Sequence, residues 1–276
     1  MGTPFFISAS DTFARLGRAD APLLFDVRRP EIVAESNEIM PAARIRNLSD
    51  AVADALAEHD GRIVTVTCAH GHNRSQQVVA RLRAQGVEAA AIADGYDGWR
   101  AAGLPLMRRT VQGITLGAAP TKWVTRRRPK IDRVACPWLI ARFLDPRAAF
   151  LFVEPDQVLA VAEDLGGVAY DLPGGVFEHD GDLCTFDALL SAFGLDADPC
   201  LGELALIVRG ADTARLDLMP QCAGLLAVSL GLSARHGDDD HAVLRHGFVV
   251  YDALYAWLRH AREERHNWPR AADKAA

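Results

Sequence analysis

Three short apolar, partly β-branched runs, spaced by stretches of helical periodicity, restrict the first hundred residues more than any other feature of the chain. Leu23–Val27, Arg62–Thr67 and Val87–Ala93 have the length and composition of strands. Between them, 48–58 places Val52 and Leu56 on one helical face, and 75–85 does the same with Val78, Val79 and Leu82 before Gly86 stops the helix. Parallel strands cannot be joined by tight turns and need crossovers, which helices of this length supply. The pattern predicts an α/β unit over residues 1–107, with a parallel sheet flanked by helices.

Past Gly103-Leu104-Pro105 the periodicity fades, and Gly113, Gly117 and Pro120 mark residues 108–128 as a linker. From 129 to 276 the chain reads as a second, mainly α-helical (α+β) domain. Asp132 is placed to cap a helix over 133–144, ended by Pro146. Two short strands, 150–153 and 168–172, flank a helix over 156–165. Further helices are expected near 186–193, 201–208, 221–230 and 242–264. The last carries a broad apolar face of Val243, Phe248, Val250, Tyr251, Leu254, Tyr255 and Leu258. The tail after Trp268 is expected to fray. A length of 276 residues agrees with two domains.

Composition excludes several classes. No run of about 18 apolar residues exists to cross a membrane, and the start lacks the basic and apolar segments of a signal peptide. Five widely spaced cysteines (68, 136, 184, 200 and 222) without a CxxC pair do not make a disulfide framework, so a reducing cytoplasm is expected. The net charge of −6 is unevenly spread: residues 108–147 carry 10 Lys+Arg against 2 Asp+Glu, and 148–276 carry 9 against 21. The basic run from Lys122 through Arg126, Arg127, Arg128, Lys130 and Arg133 can contact an acidic neighbour, bind an oxyanion through charge-assisted hydrogen bonds, or touch DNA; nucleic acid ranks last.

The segment richest in chemistry is Thr67-Cys68-Ala69-His70-Gly71-His72-Asn73-Arg74-Ser75. A strand delivers one cysteine into a polar, glycine-containing loop, and a helix capped by Ser75 follows. Loop amides can curl into an anion-binding nest, the helix N-terminus adds positive potential, and Arg74 adds more if it turns inward. Such a setting favours thiolate, the nucleophilic form. His70 and His72 can hydrogen-bond an anionic intermediate or move a proton. The structural alternative is a small buried hydrophobe at a strand end.

Four blocks in order resemble the rhodanese family: Leu24-Phe25-Asp26-Val27-Arg28-Arg29-Pro30-Glu31, Ile39-Met40-Pro41-Ala42-Ala43-Arg44, the Cys68 loop, and Asp94-Gly95-Tyr96-Asp97-Gly98-Trp99 running on to Pro105. The resemblance implies a sulfurtransferase in which Cys68 takes sulfane sulfur as a persulfide. The loop amides of 69–75 would hold it, with Asp26 and Arg28 supporting the loop from beneath. A donor such as thiosulfate and a thiophilic acceptor are implied partners. One departure matters: Arg74 lies six positions after Cys68, where the usual sulfurtransferase loop has five. The longer spacing resembles dual-specificity phosphatases and oxyanion reductases of the same fold and suits a tetrahedral oxyanion. Thr67, however, stands where such phosphatases carry histidine.

Residues 121–262 resemble the chromate-resistance protein family, through Trp123-Val124-Thr125-Arg126 running on to Trp138-Leu139-Ile140, Cys184-Thr185-Phe186-Asp187, Ile207–Asp212 and Tyr251–Trp257. The resemblance implies a part in resistance to chromate or similar oxidants, by sensing or by oxidative-stress defence. His179, Asp180, Cys184, Asp187, Asp212, His241 and His246 are available metal ligands. His179 and Asp212 are the two singled out, for manganese, iron or zinc. Cys136 is expected to be buried. Three functions therefore stand open: sulfur transfer at Cys68, oxyanion reduction or phosphate hydrolysis by the same thiol, and a non-enzymatic chromate or metal sensor.

Overall fold

The computed structural model describes residues 4–265; the expected fraying after Trp268 lies outside them. The first unit runs β1 (Phe6–Ile7), α1 (Ala9–Ala14), β2 (Leu23–Asp26), α2 (Pro30–Ala34), β3 (Glu38–Ile39), β4 (Arg44–Ile45), α3 (Leu48–Glu58), β5 (Val64–Thr67), α4 (Asn73–Arg83), β6 (Ala89–Ile92) and α5 (Gly95–Ala101). Five of the strands form one sheet in the order β1-β6-β5-β2-β4, every pair parallel. β2, β5 and β6 are buried along their whole length, as strands covered by helices on both faces must be. β6 reads Ala-Ala-Ala-Ile, a weak strand former; its small side chains let α4 pack close, and burial overrides propensity.

The expected architecture, a parallel sheet flanked by helices, is what the N-terminal part shows. α3 has its expected bounds, Asn47 accepting at its N-cap from the Asp50 amide. α4 begins earlier than expected, at Asn73 with His72 as N-cap, so Ser75 does not cap it. Ser75 instead lies inside the first turn with its hydroxyl toward Cys68.

The stretch expected as a linker, 108–128, is largely structured. β7 (Met107–Arg108) pairs antiparallel with β3, and β8 (Thr110–Val111) and β9 (Ile114–Thr115) make a small hairpin. β10 (Lys122–Arg126) is the middle strand of a second sheet, β11-β10-β12, whose partners are β11 (Ala149–Val153) and β12 (Val168–Ala169), both parallel to it. Trp123 and Val124 are fully buried there. The Trp-Val-Thr centre of β10 has high β propensity, but Gly and Pro upstream and the basic run downstream conceal it in the sequence.

The remaining helices are α6 (Asp132–Leu139), α7 (Val158–Leu165), α8 (Thr185–Phe193), α9 (Pro199–Asp212), α10 (Cys222–His236) and α11 (Asp240–Ala256). α6 passes into a π-helical turn at Ile140–Leu144, just beyond Pro137, which has no N–H to continue the ladder. The long C-terminal helix is likewise α-helical only to Ala256 and π-helical over Trp257–Ala261. Asp132 does not cap its own helix. Its carboxylate accepts the amides of Thr185 and Phe186, and so caps α8 from a neighbouring element.

One hydrophobic cluster runs from Ile7, Leu24 and Trp99 in the first unit through Trp138, Phe143 and Phe193 to Tyr251 and Leu258. Direct ties reinforce it: the Ala42 amide donates to the Phe143 carbonyl, and Arg259 donates to the Phe13 carbonyl while lying over the Phe13 ring. No helix among the described residues is long and apolar enough to cross a membrane.

Candidate active site and a histidine–carboxylate cluster

β5 carries Cys68 to the carboxyl end of the parallel sheet, where loops rather than strands set the chemistry. Its Sγ lies 3.4 Å from the Ser75 hydroxyl and 3.7 Å from the His72 carbonyl oxygen. Cys68 lines a hollow of about 370 Å³ together with Arg28, Arg29, Arg74, His70 and His72. Although Cys68 is only 6% exposed, it borders this hollow, so the packing role weighed from sequence does not describe it fully.

The loop is held open by its surroundings. Gly71 sits at φ +71° and Gly95 at φ +60°. The amides of Tyr96 and Asp97 donate to the carbonyls of Cys68 and Ala69, and the Gln76 side chain donates to the Gly71 carbonyl. These contacts occupy the loop's carbonyls. By contrast, the N–H groups of Ala69, His70, Gly71 and His72 meet no acceptor among the described residues. Four successive unpaired amides beside a thiol are the donor set of an anion nest. Gly95→Ala would press a Cβ into the Cys68 carbonyl and the Gly71 amide at a left-handed backbone position. We expect it to cost about 2–4 kcal/mol and to open the loop, read as a lowered thermal midpoint with faster thiol alkylation. Unchanged stability would show that the loop yields.

Asp26 and Arg28 form a buried ion pair at the end of β2, and the Arg28 guanidinium lies 3.7 Å from the Tyr96 ring centroid. Arg28 lines the hollow, and Asp26 holds it there from beneath. Burial pushes the Tyr96 hydroxyl up, and the hydroxyl has no hydrogen-bond partner among the described residues. Arg74 donates its Nε to the Val27 carbonyl at 2.7 Å, which anchors the side chain along the hollow's edge. His70 is exposed and engages Asp97 through Nδ1 at 2.6 Å. Asn73 is exposed on the first turn of α4.

A second constellation stands at the carboxyl end of the smaller sheet. Asp132 opens α6, Asp171 follows β12 at φ +58°, His179 lies in the loop before α8, and Asp212 is the last residue of α9. Ile131, just before Asp132, holds a left-handed φ of +36°, a rare conformation for a β-branched residue. His179 Nε2 lies 3.3 Å from Asp171, 3.4 Å from Asp212 and 3.5 Å from Asp132. The hydrogen bond to Asp132, with the charges of all three carboxylates, pushes the His179 imidazole up to about 9. Burial, then the neighbouring charges of Asp132 and Asp171, push Asp212 up to about 7, and burial also raises Asp171.

His179 and Asp212 thus come together, and Asp132 and Asp171 join them. Sequence reasoning missed these two: Asp132 was assigned to a helix cap, and Asp171 belonged to an expected strand. The other sequence candidates go elsewhere. Asp180 sits in a turn, the Cys184 thiol donates to Asp187, and Asp187 is paired with Arg209. His241 packs on Phe152, and His246 stacks on His236. Cys136 is buried as expected, its thiol donating to Asp132 and pushed up by burial. The arginines of the basic run are paired within the chain: Arg126 and Arg133 with Asp171, Arg127 with Glu154 and Asp238, and Arg128 with Asp238.

Both parts of the chain resemble known proteins. Residues 123–258 match the family described as ChrB, C-terminal domain. Protein ChrB of Cupriavidus metallidurans is 37% identical over 142 residues, which cover 51% of this chain and 42% of that protein. The chain therefore spans less than half the length of that curated relative. Among solved structures, a rhodanese-like domain protein from Staphylococcus aureus is 27% identical, covering 36% of this chain and 91% of its own, with a TM-score of 0.30. A rhodanese-related protein from Thermoplasma volcanium is 25% identical, covering 37% and 97%, with a TM-score of 0.32.

Proposed function

We propose that this chain, whose residues 123–258 match the ChrB C-terminal domain and whose N-terminal part resembles rhodanese domains, is a thiol-dependent sulfurtransferase serving resistance to chromate or similar oxidants. The observation that carries this reading is the set of four unpaired amides at Ala69–His72, beside the cysteine of an arginine-lined hollow. The substrate is an anionic sulfur donor of the thiosulfate class. Its sulfonate end carries the charge that Arg29 and Arg74 answer. The Cys68 thiolate attacks the outer sulfur, the bond to the sulfonate sulfur breaks, and sulfite leaves with the electron pair. The persulfide left on Cys68 is anionic, and the free amides of Ala69–His72 are the donors available to hold it. A thiophilic acceptor then takes the outer sulfur and the thiolate is restored. Ser75 supports the cycle with its hydroxyl, which now donates to the His72 carbonyl and can rotate to donate to sulfur once the thiol ionises.

The test is intact-mass spectrometry after thiosulfate treatment. The wild-type chain is expected to gain one sulfur atom that maps to Cys68, and Cys68→Ser is expected to lose both the adduct and thiosulfate:cyanide transfer. Full transfer activity in Cys68→Ser would falsify the reading. The six-residue spacing from Cys68 to Arg74 and the size of the hollow favour one second reading, in which the same thiol reduces or hydrolyses a tetrahedral oxyanion. Turnover of chromate, arsenate or an aryl phosphate that is absent in Cys68→Ser would select it, and inertness toward all three removes it. DNA contact through 122–133 loses its main support, because Arg126, Arg127, Arg128 and Arg133 already face carboxylates.

A further inference from the structure

We propose that Asp132, His179 and Asp212, backed by Asp171, form a binding site for a divalent first-row cation of the zinc or manganese class in the C-terminal domain. His179 Nε2 faces three carboxylate oxygens at 3.3, 3.4 and 3.5 Å. A single N–H can donate well to one of them, so hydrogen bonding alone does not explain three near-equal approaches. The spacing does match a coordination shell. Ligands about 2.0–2.2 Å from a four-coordinate ion lie roughly 3.3–3.5 Å from one another. One ligand atom from each of Asp132, His179 and Asp212 falls within 4.8 Å of the others.

The surroundings are built for charge. Asp132 is almost wholly buried, and its oxygens are fixed by the Thr185 and Phe186 amides and the Cys136 thiol. Asp171 gives one oxygen to Arg126 and Arg133 and turns the other to His179. Second-sphere contacts of this kind orient carboxylate ligands at metal sites. Independent support comes from Tyr170. It stands next to Asp171 in the chain, its side chain is fully buried, and its hydroxyl has no hydrogen-bond partner among the described residues. Imidazole with several carboxylates is a donor set for zinc, manganese or iron rather than for thiolate-seeking ions. His179 is half-exposed and gives an ion a route in. On binding, the ion takes the Nε2 lone pair and the proton leaves to solvent.

The test uses the full chain, stripped with chelator and then dialysed against micromolar Zn²⁺, Mn²⁺ or Co²⁺. We expect about one equivalent of bound metal by elemental analysis, and visible d–d bands with Co²⁺. His179→Ala and the isosteric Asp212→Asn should each weaken binding at least tenfold, with circular dichroism confirming that both are folded. His246→Ala, outside the cluster, should bind like wild type, and so should Cys68→Ser, which separates this site from the sulfur-transfer reading. Substoichiometric uptake of all three ions overturns the proposal. So does undiminished binding in folded His179→Ala and Asp212→Asn.

Discussion

Replacing Trp138 by alanine is expected to cost about 3–5 kcal/mol, the usual loss for emptying a large buried aromatic site. Trp138 is fully buried, and its ring lies 5.7 Å from Phe143 and Tyr255 and 6.0 Å from Tyr251, centroid to centroid. Its Nε1 donates to Asp252, which also receives a two-pronged bond from Arg142. Asp252 would keep Arg142 after the substitution, so the loss is chiefly cavity and contact rather than an orphaned charge. For a chain of this size the thermal midpoint should fall by roughly 6–20 °C. Phe143 also holds the Ala42 amide of the first unit, one core spans both units, and β2 and β6 contribute alternate residues to it and to the separate cluster that contains Cys68. The Cys68 region should therefore unfold together with the C-terminal helices, with thiol exposure and helix loss tracking one transition. Val249→Ala, on an exposed residue of α11, should stay within about 0.5 kcal/mol of wild type. A Trp138→Ala protein within 1 kcal/mol of wild type, or two separate transitions, would contradict the shared core.

The parts of the chain with strict local pattern were the legible ones. Val64–Thr67 and Leu48–Glu58 declare their type through β-branched density and helical spacing, and the Cys68 loop follows because a strand end and a helix start bracket it. β10 escaped because its information is tertiary: five residues become a central strand only when β11 and β12 arrive from 22 or more positions away. The same holds at the carboxylate cluster. Asp132, Asp171, His179 and Asp212 are separated by long intervals and come from a helix start, a strand end, a loop and a helix end. No spacing rule could join them, and Asp132 looks locally like a helix cap because it is one, for a different helix. The basic run misled in the opposite way. Its density suggests an external anion, but the acidic residues that answer it lie as far off as Asp238.

In chelator-treated protein, stability should fall as pH rises from about 4 to 9, against the common pattern of gains above acid pH. The sign follows from two groups. Asp212 titrates near 7 when folded, against an unperturbed value of 3.8, and His179 near 9 against 6.5. Each folded-state value is raised, so the folded chain holds more protons than the unfolded chain across both windows. Stability rises with pH only where the unfolded state binds more protons, and here the reverse holds. The Asp212 contribution is fully present below 3.8 and is lost as pH passes 7; that of His179 is present below 6.5 and is lost through 9. At about 1.4 kcal/mol per unit, Asp212 alone would give roughly 4 kcal/mol. The two groups share their mutual attraction and His179 is half-exposed, so the whole fall should be on the order of 2–4 kcal/mol. Urea titrations at pH 5, 7 and 9 measure it. His179→Gln, without a titrating imidazole, should remove the upper window, and, because the imidazolium charge no longer holds Asp212 down, extend the lower one to higher pH. Zn²⁺ or Mn²⁺ should lift stability most at pH 8–9, where the cluster has lost its protons and an ion can take their place. Stability that climbs from pH 5 to 9 without metal would mean that the three carboxylates do not press on one another as their geometry requires.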